Sequence, residues 1–344
     1  MTLRDQHSMD SAVIPEGAFT SAIKAPRPTR WFGFMLVPDF TLLAFSSALD
    51  PLRIANQLAQ HPLYGWHVVS EDGAPVVSST GLTVGVHGKL SDIADDLPLL
   101  VCSGNSWQKN VSQKAIAKIR MRARFGAQHG GICTGAGTLA RAGLLAGKRF
   151  TLHWENQPGF TESFPDLVPT QNRFEEDGTM LTCGGGSAAA EMILDRIEKD
   201  YGRDFAVLVA DMCLNDPDPG GNRPQRSSLA TALATRNPKL VSVVQQMYRH
   251  IEEPLLMDDL AELAGVSRRQ LERHFRKFLG ESPAKTYSKI RLDRGRSLLV
   301  ETDMRVGEVA AATGFSSAQV FSRLYKERFG QTPYGMRKGT DADT

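Results

Sequence analysis

Cysteine is scarce in this sequence, and the few cysteines are widely separated. The 344 residues include only four of them, at Cys102, Cys133, Cys183 and Cys213. Because no two form a CxxC pair, the sequence signals neither a zinc site nor a redox dithiol. We therefore predict reduced thiols, three of them buried and inert, with no metal site and no cofactor.

Long apolar runs are also missing. No hydrophobic stretch approaches the ~18–20 residues that a membrane-spanning helix requires. Residues 1–29 are polar and mixed, and they lack the basic-then-apolar order of a secretory signal. We expect a flexible tail over residues 1–29, no membrane partner and a cytoplasmic location.

The net charge is small, at +2, but it is unevenly distributed. Residues 237–340 hold 18 Lys and Arg against 12 Asp and Glu. The excess is sharpest between Arg268 and Arg296, where ten basic residues face three acidic ones. A localised basic surface is expected of a protein that binds a polyanion. A solvated helix face would show the same excess, so charge alone leaves both interpretations open.

The chain changes character near its middle. Residues 30–215 alternate short apolar runs with helical patterns, which is typical of a parallel α/β sheet. Residues 216–237 begin with DPDPGGNRP, which continues neither a helix nor a strand, so we predict a linker there. Residues 238–338 show only helical patterns, and we assign residues 339–344 to a second tail.

The helical region contains an internal repeat. One copy runs over residues 261–283 and the other over residues 310–333. In each, a short helix ends at a glycine, an apolar residue follows, and a serine begins the next helix. These triplets are Gly265, Val266 and Ser267, and Gly314, Phe315 and Ser316. This is the plan of the helix-turn-helix, whose second helix enters the major groove of DNA.

Both predicted recognition helices divide into an apolar and a polar face. The apolar residues that we expect to pack inward are Leu271, Phe275 and Phe278, and Val320, Phe321 and Leu324. Arg pairs bidentately with guanine and Gln with adenine, while Glu accepts from cytosine. We predict that DNA contacts come from Arg268, Arg269, Glu272, Arg273 and Arg276, and from Ala318, Gln319, Ser322, Arg323 and Lys326. A helix over residues 284–300 would hold the two recognition helices ~34 Å apart, about one duplex turn.

Residues 238–338 closely resemble the DNA-binding domain of the AraC/XylS family of regulators. The matching segments are GFSS at 314–317, FSRLYK at 321–326 and FGQTP at 329–333. The resemblance implies promoter DNA and RNA polymerase as partners. It also implies base contacts by Arg269, Glu272 and Arg273, and by Ala318, Gln319, Ser322 and Arg323.

GICTGAG at residues 131–137 resembles a nucleophile elbow, with Cys133 in the nucleophile's place. A helix N-terminus lowers the pKa of a thiol, so Cys133 is a candidate reactive group. Residues 30–200 resemble the ThiJ/PfpI branch of the flavodoxin-like, class I glutamine-amidotransferase-like fold. Hydrolytic members place a His after the Cys and a Glu on the first helix, where this chain has Thr134 and Ala44. We therefore predict a ligand pocket and no enzyme activity; a thiol hydrolase or amidase using Cys133 is the alternative, and a redox switch is a third, weaker one.

The two halves together resemble the GlxA-like subfamily, which includes activators of glycine betaine, carnitine and arginine catabolism. Among the landmarks are ALDPLRIAN at 48–56, HWEN at 153–156 and CGGGS at 183–187. The resemblance implies a sequence-specific transcriptional regulator that responds to a small amine- or amino-acid-derived effector, a betaine-like compound first. We expect an activator that forms a homodimer.

The effector site is expected at the carboxyl ends of the strands, where open α/β sheets bind ligands. We predict that it is lined by Asn105, Trp107, Cys133, Thr134, His153 and Trp154. Aromatic faces attract quaternary ammonium groups, which makes Trp107 and Trp154 candidate walls of an aromatic cage.

Overall fold

The computed structural model describes residues 13–17, 19–21, 23, 27–215, 225 and 237–336. Contacts within the chain divide it into two compact units, residues 1–225 and 226–344, and this division falls inside the predicted linker. Apart from residues 225 and 237, that linker lies outside the described residues, as does the predicted tail at 339–344.

The described part of the amino-terminal segment is held against the first helix of the sheet domain. The main-chain N–H of Ser21 donates to Leu58 O at 2.6 Å. The side chain of Asn56 donates to Val13 O at 3.2 Å. These contacts join Ser21 and Val13 to that helix, and the flexible tail over residues 1–29 stays a prediction.

The amino-terminal unit is built around a seven-stranded sheet. Its strands, together with a separate antiparallel pair formed by β3 and β4, are β1 (Arg30–Leu36), β2 (Tyr64–Ser70), β3 (Val76–Val77), β4 (Thr83–Val84), β5 (Gly88–Lys89), β6 (Leu99–Ser103), β7 (His129–Cys133), β8 (Phe174–Asp177) and β9 (Met180–Cys183). The order in the large sheet is β5-β2-β1-β6-β7-β9-β8. All its pairs are parallel except β8 with β9. The predicted parallel α/β fold is therefore confirmed, and the antiparallel edge is an addition to it.

Helices cover both faces of the sheet, which explains why the central strands β1 and β6 are apolar and buried along most of their length. The helices are α1 (Leu42–Ala59), α2 (Gln113–Arg124), α3 (Gly135–Arg141), α4 (Gln157–Ser163), α5 (Ser187–Tyr201) and α6 (Arg203–Met212). One core lies between the sheet and α1, α5 and α6, and the other between the sheet and α2, α3 and α4. The chain reverses its direction of winding between the neighbouring strands β1 and β6, so a crevice forms at their carboxyl ends.

The carboxyl-terminal unit is entirely helical among its described residues. Its helices are α7 (Pro238–Arg249), α8 (Met257–Leu263), α9 (Arg268–Leu279), α10 (Pro283–Glu301), α11 (Val306–Ala312) and α12 (Ala318–Phe329). They enclose two small cores, one for each helix-turn-helix. The long helix α10 contributes Tyr287 and Ile290 to the first core and Leu292 and Leu298 to the second. In the whole of the described chain, no helix has the length and hydropathy to cross a membrane.

Both helix-turn-helix turns have the predicted backbone. Gly265 and Gly314 adopt φ values of 61° and 67°, a region that glycine enters without steric cost. Ser267 caps α9 by accepting from Gln270 N at 3.3 Å. In the second unit the prediction is wrong by one residue, because Ser317 and not Ser316 caps α12, accepting from Val320 N at 3.3 Å.

The inward face of α9 also needs a correction. Leu271 and Phe275 are buried as predicted, but Phe278 is 39% exposed. Leu279, a full two turns beyond Leu271, packs against the core in its place.

Candidate functional site

A cavity of about 470 Å³ opens at the carboxyl edge of the sheet. Four adjacent strands, β1, β6, β7 and β9, end at it or lead their following loops into it, because parallel strands all end on the same side. The β3–β4 hairpin contributes Ser79 to the lining. The cavity is lined by Asp39, Thr41, Leu43, Ser79, Asn105, Cys133, His153, Glu155 and Gly186.

Cys133 has the backbone of a nucleophile elbow. It lies at the end of β7 with a φ of 60°, a conformation that costs free energy in any residue other than glycine. The turn is so tight that a Cβ at Gly131 would lie 2.4 Å from Ala136 N, and one at Gly135 would lie 2.0 Å from Val101 O. The predicted elbow is therefore present as a shape.

The thiol of Cys133 is not activated in the predicted way. It is 5% exposed, and burial raises its pKa above the ordinary value, outweighing the backbone N–H of Thr134 that favours the thiolate. Thr41 Oγ1 lies 3.5 Å from the sulfur. Neither Thr41 nor the Thr134 N–H is a base. The expectation of a thiol pKa lowered by the helix N-terminus is corrected by this burial.

His153 enters the cavity from the loop after α3. Its main-chain N–H donates to Cys133 O at 3.3 Å, which ties this loop to the elbow. Its Nδ1 lies 4.0 Å from Glu155 Oε2. Burial lowers the pKa of His153, so its imidazole is neutral at neutral pH.

Three predicted pocket residues are placed elsewhere. Trp107 is 1% exposed and packs against Phe160 and Phe164, at ring-centroid distances of 6.1 and 6.2 Å, so its prediction as a cage wall is corrected. Thr134 is fully buried and donates to Gly104 O at 2.5 Å, which leaves no hydroxyl for a ligand. Trp154 does not line the cavity; it is 37% exposed, with its ring centroid 5.5 Å from that of His153.

Asn105, Cys133 and His153 do line the cavity, as predicted, but its two carboxylates were missed. Asp39 follows β1 and carried the same signal as Asn105, a polar residue after a buried strand. Glu155 lies within the HWEN segment already recognised as a landmark. Ser79 had no sequence signal, because the backbone pairing of Phe40 with Ser78 that brings it here is long-range.

The second candidate surface is formed by the two recognition helices. The long polar side chains predicted to contact DNA are exposed: Arg268, Arg269, Arg273, Arg276, Gln319, Arg323 and Lys326. The remaining three are half-buried: Glu272, Ala318 and Ser322. Arg268 pairs with Asp258 at 3.6 Å and Arg323 with Glu327 at 3.1 Å, both in solvent. Exposed ion pairs contribute little, so these arginines are free to exchange partners.

Comparison with known proteins assigns both units. Residues 260–339 match the helix-turn-helix (HTH) domain family, and residues 51–199 match the DJ-1/PfpI family. The HTH-type transcriptional regulator CdhR of Pseudomonas aeruginosa is 42% identical over 306 residues, which cover 88% of this chain and 90% of CdhR. The chain belongs to the family of HTH-type transcriptional regulators. It is also similar to the regulator GlxA of Rhizobium meliloti, 40% identical over 315 residues that cover 91% of this chain and 97% of GlxA.

These likenesses confirm that the regulator joins a DJ-1/PfpI unit to an AraC-type DNA-binding unit, as the two resemblances implied. The amino-terminal unit alone also has an enzyme among its relatives. Isonitrile hydratase of Pseudomonas putida is 31% identical over 184 residues, which cover 52% of this chain and 75% of the hydratase.

Proposed function

We propose that the regulator is a transcriptional activator whose amino-terminal unit binds a small cationic metabolite in the cavity beside Cys133. The charge of the lining carries this proposal. Asp39 and Glu155 supply two carboxylates, and the described lining residues include no Lys or Arg. His153 and Cys133 add no charge, because burial favours the neutral form of each. A cavity of negative charge with partly desolvated walls attracts a cation.

The uncharged lining residues narrow the chemical class. The hydroxyls of Thr41 and Ser79 and the amide of Asn105 can donate to a carboxylate on the same ligand. An amine- or amino-acid-derived metabolite that carries both a cationic group and a carboxylate, with a betaine-like compound as the first candidate, meets both requirements.

A ligand panel tests this function. We expect one compound among glycine betaine, dimethylglycine, carnitine, choline and arginine to raise the melting temperature of the purified regulator by mass action. Asp39→Asn and Glu155→Gln should each weaken calorimetric binding of that compound about tenfold, or ~1.4 kcal/mol. Asp166→Asn, an exposed carboxylate outside the cavity, serves as the matched control. Unchanged affinity in both cavity variants would show that the carboxylates do not recognise the ligand.

The DNA side of the proposal rests on the exposed faces of α9 and α12. Effector binding would shift the population toward a state that engages promoter DNA and RNA polymerase, with the regulator acting as a cytoplasmic homodimer. Arg269, Glu272 and Arg273, with Ala318, Gln319, Ser322 and Arg323, are the proposed base-contacting residues. Arg268, Arg276 and Lys326 complete the proposed DNA surface.

A thiol hydrolase that uses Cys133 is the second candidate function. The elbow backbone at Cys133 and the likeness of this unit to isonitrile hydratase favour it. The surroundings of the sulfur oppose it. Ala44, in the place where a hydrolytic relative carries a Glu, is buried in the core, and burial keeps the thiol protonated. We therefore interpret the elbow as one wall of the effector cavity.

A further inference from the structure

Three residues, each one turn after the last, line one side of helix α10. Tyr287, Arg291 and Gly295 occupy positions i, i+4 and i+8, so they share a face of the helix. Tyr287 belongs to the core of the first helix-turn-helix. Gly295 lies against the second, since a Cβ there would be 2.6 Å from the ring of Phe321. This face of α10 thus lies where the two helix-turn-helix motifs meet.

Tyr287 holds the loop that leads into the first helix-turn-helix. Its hydroxyl donates to the carbonyl oxygen of His250 and accepts from the main-chain N–H of Leu255 at 3.2 Å. The ring itself is buried, so the hydroxyl cannot turn away without leaving two backbone groups unpaired. The loop over residues 250–255 is therefore fixed to α10.

Arg291 holds the turn of the second helix-turn-helix in the same manner. Its Nε donates to Thr313 O at 2.7 Å, and a terminal nitrogen donates to Gly314 O. The guanidinium carbon also lies 4.1 Å from the ring centroid of Phe315, a close cation–π contact. Only the planar, forked guanidinium can reach both carbonyls and stack on the ring at once.

The two segments held by α10 touch each other. At Gly314, a Cβ would lie 2.7 Å from Ile251 O and 2.6 Å from Glu252 O. The turn of the second helix-turn-helix therefore packs directly on the loop over residues 250–255. Only a glycine allows this approach, and its φ of 67° is also one that glycine tolerates. The recognition helix α12 begins four residues later, at Ala318.

We propose that Tyr287 and Arg291 are positioning residues for DNA recognition, which fix the separation and angle of the two recognition helices. With both anchors in place, α9 and α12 can enter two adjacent major grooves only when the half-sites have one particular spacing. The inference rests on DNA contact by both helices and does not depend on which effector the cavity binds.

The test measures spacing selectivity on duplexes. The full-length protein selects its preferred operator from random duplexes, and one base pair is then inserted or deleted between the half-sites. Each such change moves the half-sites by ~3.4 Å and rotates them by ~34° relative to each other. For the unaltered protein we expect a loss of at least about tenfold in affinity on either altered duplex, or ~1.4 kcal/mol. In Arg291→Ala we expect weaker binding to the preferred duplex and a spacing penalty reduced to about threefold or less.

Two further variants keep the outcome decisive if Arg291→Ala folds poorly. Arg291→Lys keeps the positive charge but cannot bridge both carbonyls, and Tyr287→Phe removes one hydroxyl while leaving the ring in the core. Both should relax the spacing penalty. Lys285→Ala, an exposed residue of the same helix, is the matched control and should leave the penalty unchanged. Equal losses at all spacings, an unaltered penalty in these variants, or a selected operator with a single half-site would overturn the proposal.

Discussion

Cys133 combines a strained backbone with a buried thiol. Together these two features predict how effector binding and activation respond when the thiol is removed. If the elbow is a cavity wall, Cys133→Ala should still bind the effector and activate transcription, with affinity changed by less than about threefold, well under 1.4 kcal/mol. The methyl group fits a position that already tolerates a β-carbon at positive φ. Calorimetry and a promoter reporter in the same variant check this. Loss of the response, together with loss of amide turnover by the purified protein, would favour the thiol hydrolase.

The pH dependence of alkylation gives an independent measure of the same residue. Because burial raises the pKa of Cys133 above its ordinary 9.0, the reactive thiolate is rarer at pH 7–8 than in a free cysteine. Iodoacetamide should therefore modify Cys133 more slowly in the native than in the unfolded protein, and the native rate should still be rising above pH 9, where the rate of an ordinary thiol levels off. Peptide mass spectrometry of both samples reports the two rates. Equal rates at pH 7.5 would mean that the thiol is accessible and ionises normally.

At the residue scale, the sequence predicts which residues lie near the cavity better than it predicts which way their side chains point. Asn105 and Cys133 were found because the carboxyl ends of buried parallel strands meet at one edge of the sheet. His153 enters the cavity instead from the loop after α3. Trp107 carried the same positional signal, yet it turns into the core to pack on Phe160 and Phe164. No periodicity in a loop records which way a side chain points.

Among the elements, α9 offers the sharpest test of base recognition. Arg269 and Arg273 lie four residues apart and both are exposed, so they can enter one groove together. Replacing both with Ala should cost about 1–3 kcal/mol for each lost bidentate base contact and flatten the base preference at two positions. A mobility-shift assay on an operator with systematic base substitutions measures both effects.

A charge-preserving variant separates base reading from attraction to phosphate. Arg269→Lys with Arg273→Lys keeps both charges but not the planar fork, so non-specific affinity and its salt dependence should persist while base preference falls. If the doubly substituted Ala variant retains the original base preference, the assignment of these two arginines as base-reading residues is wrong.

The starts of α9, α10 and α12 were predictable to within a residue, and the errors have local causes. Two serines, Ser316 and Ser317, stand before α12, and either would serve as a cap by composition. The structure uses the second. In α9 the spacing of Phe278 from Leu271 and that of Leu279 from Phe275 both suit an apolar face. Leu279 packs against the core of the first helix-turn-helix, and Phe278 is left exposed.

For the whole molecule, the alternation of strands and helices was predictable from the sequence. The short strands that depend on distant partners were not. Apolar runs alternating with helical patterns predicted the parallel sheet, because both faces had to be covered. The antiparallel strand β8 and the small β3–β4 pair are short and lack such a run. Their places depend on partners distant in the sequence, as with Ser79 in the cavity.

Gln225, the last residue of the amino-terminal unit, is another such long-range feature, and it bears on the cavity. Its Oε1 accepts from Trp154 N at 2.9 Å, between the cavity residues His153 and Glu155. Its Nε2 lies within hydrogen-bond distance of Thr151 Oγ1, Leu152 O and Asn172 O, at 2.8, 3.0 and 2.9 Å. The side chain fits there because Gly184 has no Cβ, which would lie 2.4 Å from Oε1. One amide thus stabilises the segment that carries two cavity residues.

We expect Gln225→Ala to loosen this segment and weaken effector binding together. Losing these hydrogen bonds and leaving Trp154 N–H without its partner should lower the opening free energy locally by about 1–3 kcal/mol. Hydrogen exchange of the peptide containing Trp154 should accelerate about tenfold to a hundredfold, since each tenfold is ~1.4 kcal/mol. Gln113→Ala, an exposed glutamine on α2, controls for loss of a polar side chain. If the two variants exchange at the same rate, Gln225 does not support the cavity, and the order of residues 151–155 must come from β7 and the elbow alone.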